Sequence, residues 1–105
     1  MRIICEKQYQ MIPKQLLRKC QYHEFLDPNT RQLSYARPLQ SSMLYPRFHI
    51  YVERSAQGFI INLHLDQKKP SYQGTSAHAG EYDGEVVEAE AARITHILNQ
   101  YLFVS

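Results

Sequence analysis

Two of the five histidines in this 105-residue chain, His49 and His64, fall in segments that alternate apolar and polar side chains. The first segment reads Phe48-His49-Ile50-Tyr51-Val52-Glu53. The second reads Phe59-Ile60-Ile61-Asn62-Leu63-His64-Leu65-Asp66. A period of two is that of a strand with one face buried. Phe48, Ile50 and Val52 must then share a face with Phe59, Ile61, Leu63 and Leu65, since otherwise neither arm buries its apolar set. Directly opposed residues lie on the same face, so an even position in the first arm opposes an odd one in the second. A four-residue loop, Ser55–Gly58, sets the sum of paired numbers at 113. The core face becomes Phe48·Leu65, Ile50·Leu63 and Val52·Ile61. The opposite face becomes His49·His64, Tyr51·Asn62 and Glu53·Ile60, with Asp66 at the strand end. A sum of 111 or 115 would stagger the pairs by two and leave the histidines diagonal.

Such a face supports several kinds of chemistry. His49, His64 and His78 (or Asp66) would bind a divalent transition metal, because imidazole suits zinc, copper and nickel and adjacent strands bring two rings within reach of one ion. Three protein ligands leave a position for an activated water, the basis of a histidine-based, metal-dependent hydrolase. Without metal, one histidine would act as a general base oriented by Asp66 or Glu81. Neither reading has a motif behind it: there is no H-E-x-x-H, nucleophile elbow, P-loop or dinucleotide fingerprint. The bland alternative is a pair of stacked surface histidines bonded to Tyr51, Asn62 and nearby backbone. Self-association is a further use, because an exposed Tyr/His face suits a symmetric interface.

The elements that must position these residues follow from periodicity and turn chemistry. Arg2–Cys5 reads as a short strand. Pro13 suits the first position of a helix over 13–21, where Ile12, Leu16, Leu17 and Cys20 form one stripe. Residues 22–26 and 31–35 flank Asp27-Pro28-Asn29-Thr30, strong turn chemistry, and predict a hairpin. Residues 36–47, with two prolines, read as a connecting loop. Gln67 to Tyr82 shows no period, and a loop that long in a small domain is usually functional or disordered. It carries Lys68, Lys69, Tyr72, His78 and Glu81, which complete the candidate binding surface of His49, Tyr51, Asn62, His64 and Asp66. Asp83 then reads as the N-cap of an amphipathic helix with the stripe Val87, Ala91, Ile94, Leu98 and Tyr101, and His96 points away from it.

Composition excludes several classes. No run of about 18 apolar residues exists to cross a membrane, and charge interrupts the opening residues at once, unlike a secretory signal. Cys5 and Cys20 have neither a redox-pair nor a zinc-finger spacing and read as buried thiols in a reducing cytoplasm. The net charge of +2 hides eleven bases against five acids in residues 1–80 and one base against five acids in 81–105. Arg18, Lys19, Arg31, Arg37, Arg47, Lys68 and Lys69 are interleaved with Tyr22, Tyr35, Tyr45, Tyr51 and Tyr72, a pattern that would stack single-stranded bases. The small net charge and the lack of any RNA-binding motif weigh against nucleic acid. The expectation is one α+β domain: an antiparallel sheet of about four strands, one face covered by the C-terminal helix, plus a short N-terminal helix. Its expected role is a small cytoplasmic binding or interaction protein working through the uncovered sheet face and the 67–82 loop.

Overall fold

Along the chain run strand β1 (Arg2–Cys5), helix α1 (Pro13–Lys19), strands β2 (His23–Leu26), β3 (Leu33–Pro38), β4 (Arg47–Ser55), β5 (Gly58–Asp66) and β6 (Gly80–Glu81), and helix α2 (Glu85–Asn99). The computed structural model describes residues 1–67, 80–81 and 84–104. The strands form an antiparallel sheet in the order β1-β5-β4-β3-β2, and β6 also pairs with β5. The fold is therefore α+β, as expected, but with five strands plus a two-residue sixth rather than about four. The N-terminal strand joins one side of the central hairpin and the 23–38 hairpin joins the other.

The central hairpin sets the register of everything else. Its pairs sum to 113 from Arg47↔Asp66 through His49↔His64 to Ser55↔Gly58, so the turn itself is only Ala56–Gln57. Phe48, Ile50, Ile61, Leu63 and Leu65 are buried on one face. Gly58 is required by β1: with Cys5 opposite Phe59, a Cβ on residue 58 would run into the Cys5 carbonyl oxygen. The link expected over 36–47 is shorter, because β3 continues through Arg37↔Phe48 and Pro38↔Arg47. Residues 80 and 81, expected within a loop, instead pair with Asp66 and Leu65.

Both helices contribute to the core on the apolar face. Leu16 and Leu17 of α1 and Val87, Ile94 and Leu98 of α2 join it, and each such side chain contributes about 1.5–3 kcal/mol when fully buried. Helix α1 stops at Lys19, two residues short of the expectation, because Gln21 takes a left-handed φ of 67° that no helix continues through. The N-cap of α2 is Gly84, with a φ of 100° that suits glycine, while Asp83 lies outside the described residues.

Charge also docks α2, through a buried knot. Glu90, 4% exposed, accepts from the Tyr22 phenol at 2.6 Å and from Arg93 Nε and Nη2 at 2.8 and 3.0 Å. Arg37 Nη1 reaches it at 3.4 Å from β3. Arg93 Nη2 also donates to the Cys20 carbonyl at 2.6 Å and Nη1 donates to Gln21 Oε1 at 2.8 Å, tying the end of α1 to α2. Burial first, then the Glu90 charge and hydrogen bond, raise the Tyr22 phenol far above the ordinary tyrosine range. Among the described residues, the ion pair that joins the basic and the acidic parts of the chain is Arg37–Glu90, at this desolvated carboxylate.

Candidate metal centre

The register of β4 and β5 places His49, Tyr51, His64 and Asp66 together on the face away from the helices. The ring of His49 lies 4.7 Å from Tyr51 and 4.9 Å from His64, and Tyr51 stacks near-parallel on His64 at 6.2 Å. Asp66, one step beyond His64 on the same side, is the hub. Its Oδ1 lies 2.9 Å from His64 Nε2, and its Oδ2 lies 3.3 Å from His49 Nδ1 and 3.5 Å from Arg47 Nε. Burial acts to raise the Asp66 carboxyl. The hydrogen bonds and charges of His49 and His64 overcome it and hold the group far below the usual carboxylate range.

A further contact reaches into β3. Ala36 opposes His49, so Ser34 sits diagonally from it, and Ser34 Oγ lies 2.8 Å from His49 Nε2. The hydroxyl of Ser34 also donates to the Phe25 carbonyl oxygen at 3.3 Å. A serine has one proton to give, so with that proton on Phe25 the contact to His49 runs from Nε2–H to Oγ. A neutral imidazole protonated at Nε2 aims the bare lone pair of Nδ1 at Asp66 Oδ2. In that tautomer a proton or a metal ion would stand between Nδ1 and Oδ2; in the other, Nδ1–H donates to Asp66 and the Ser34 hydroxyl donates to Nε2.

The reverse assignment, with Ser34 donating to His49 and Nδ1–H on Asp66, is the Asp–His–Ser order of acyl transfer. Ser34 is 2% exposed and packed against the Phe25 carbonyl, so no scissile carbonyl carbon reaches its oxygen. A nucleophilic role is thereby ruled out sterically.

Donor geometry suits an ion. One ligand atom each from His49, His64 and Asp66 can be chosen so that all lie within 4.8 Å of one another. Two ligands about 2.0 to 2.1 Å from a tetrahedral zinc stand about 3.3 Å apart, and the carboxylate contacts already measure 2.9 and 3.3 Å. Side-chain exposures of 9%, 13% and 21% for His49, His64 and Asp66 leave the cluster partly shielded from solvent. With Nε2–H directed at Ser34 Oγ, that hydroxyl would take the supporting role of a group that holds the second ring N–H of a ligating histidine.

The expected surface is assembled in part. His49, Tyr51, His64 and Asp66 converge. Asn62 directs its amide to Glu53 Oε1 at 3.0 Å and to the Tyr51 carbonyl, outside the centre. Lys68, Lys69, Tyr72 and His78 lie outside the described residues, and Glu81 is described as backbone in β6 opposite Leu65. Among the described residues, the third potential donor beside His49 and His64 is Asp66. The face is also less open than expected: His49 is 7% exposed, closed in by Tyr51, His64 and Ser34. His96 is exposed on α2 and takes no part.

Two members of the site were not expected. Arg47·Asp66 follows from the same sum of 113, extended by one outward-facing pair. Ser34 had no such signal, because its place depends on how β3 docks on β4 across the loop between them. No protein-family model, no curated protein and no solved structure matches this chain.

Proposed function

We propose that this is a small binding protein whose ligand is a divalent first-row transition metal, held by His49 Nδ1, His64 Nε2 and Asp66. The observation that carries this reading is the convergence of three donor side chains: ligand atoms, one each from His49, His64 and Asp66, lie within 4.8 Å of one another. Two imidazoles and one carboxylate are the donor set of open zinc sites and of facial iron(II) sites. A position left to water would make that water more acidic, which is the route to the hydrolase alternative at the same place. The unpaired, buried thiols of Cys5 and Cys20 suit a reducing cytoplasm, the compartment we assign. Among the described residues no helix is long and apolar enough to cross a membrane. Self-association through the same face is the companion proposal, and a clean monomer by light scattering at high concentration would remove it.

The test is a melting curve of EDTA-treated protein with Zn²⁺, Ni²⁺ or Co²⁺. An ion at a hundredfold excess over its Kd adds about 2.7 kcal/mol to the folded state, or roughly 10–20 °C for a domain of this size. Co²⁺ adds a visible d–d spectrum that reports the coordination geometry. His64→Ala and Asp66→Asn should each abolish both signals. No shift at saturating metal, or the same shift in both variants, refutes the reading.

A further inference from the structure

The guanidinium of Arg47 is already a cation on the candidate centre. Its Nε lies 3.5 Å from Asp66 Oδ2, the same oxygen that faces His49 Nδ1. The β4–β5 register holds Arg47 directly opposite Asp66, and the side chain is 16% exposed. Two aromatic rings keep it there: its Cζ lies 4.7 Å from the Tyr45 ring centre and 5.7 Å from that of Phe25. Cation–π contacts of this kind are strongest for a partly desolvated guanidinium.

We propose that Arg47 is an affinity-setting residue: a resident positive charge that competes with a divalent ion for Asp66 and weakens metal binding. This rests on the metal reading above. An ion bonded to Oδ2 at about 2 Å lies no further than about 5.5 Å from Arg47 Nε. At that separation, in a partly shielded site, like charges repel substantially. The rings of Tyr45 and Phe25 hold the guanidinium independently of Asp66, so its charge stays close when a metal arrives. Arg47 also occupies a lone pair of Oδ2 that the ion would use. Removing the charge while keeping the bulk should therefore tighten binding, the opposite of what loss of a supporting contact does.

Calorimetric titration of Zn²⁺ into the full chain tests this, with wild type beside Arg47→Gln and Arg47→Met. Gln keeps polarity, and Met keeps the apolar stem under Tyr45 and Phe25. Arg54→Gln, an exposed position on the same strand opposite Phe59, controls for the change in net charge. Melting curves and far-ultraviolet circular dichroism without metal establish that each variant folds. Both Arg47 variants should bind Zn²⁺ at least tenfold more tightly than wild type and Arg54→Gln. If wild type binds and a folded Arg47 variant binds equally or more weakly, the inference fails while the metal reading stands. If wild type does not bind, both fail.

Discussion

Truncating Glu90 to alanine should be among the most damaging single changes outside the apolar core. The carboxylate is 4% exposed and serves donors from α1's exit, β3 and α2 itself: Tyr22, Arg37 and Arg93. Tyr22 is 1% exposed, so its phenol would stay buried without that acceptor, at a cost of about 1–3 kcal/mol. Removing one partner of a buried charge pair costs about 3–5 kcal/mol. Arg37 and Arg93 are each 29% exposed and can turn to water, which places the sum near the lower end of that range. A loss of about 3 kcal/mol is a large share of the roughly 5–15 kcal/mol that holds such a domain folded. It corresponds to about 10–20 °C in Tm. Urea unfolding followed by circular dichroism and tyrosine emission measures it, since the chain has eight tyrosines and no tryptophan. Glu88→Ala, exposed on the same helix, should change stability by no more than about 0.5 kcal/mol. A double-mutant cycle of Tyr22→Phe with Glu90→Ala should show coupling above about 1 kcal/mol. Glu90→Ala matching Glu88→Ala, or coupling near zero, would refute the account of how α2 docks.

Burial pushes the Cys20 thiol up to about 11 from its ordinary 9.0, so the folded state keeps this proton longer than the unfolded one. Its stabilisation is complete below pH 9 and is lost as pH rises towards 11, by up to about 3 kcal/mol. Urea midpoints at pH 8 and 10.5 should therefore diverge less in Cys20→Ala than in wild type, and an unchanged difference removes the argument. Gly58→Ala should cost about 1–3 kcal/mol through collision with the Cys5 carbonyl. Amide exchange should speed up first in β1; wild-type exchange in Arg2–Cys5 would contradict the packing described. Ser34→Ala should leave the sheet intact but weaken metal binding about 10–100-fold by freeing the His49 tautomer, and wild-type affinity in that variant would remove Ser34 from the site.

Alternation of apolar and polar residues over 48–53 and 59–66 was enough to pair the two central strands residue by residue, and with them His49 and His64. The reason is local: a period of two allows only one parity when one face must be buried, and a short turn selects the sum. The same sum already contained Arg47·Asp66. The stripe of α2 was equally plain, because 3.6-residue periodicity over four turns has few competing explanations. Its buried acid was not, since a glutamate beside such a stripe is usually solvated, and only the arrival of Tyr22 from the link after α1 and of Arg37 from β3 makes Glu90 an interior residue. Ser34 reaches His49 through a strand pairing that an intervening loop leaves unspecified. Side chains that meet within one hairpin are dictated by short-range geometry. Those that meet across separate elements depend on how the whole sheet and its helices pack, and the tautomer of His49 and the shielding of the centre belong to that second kind.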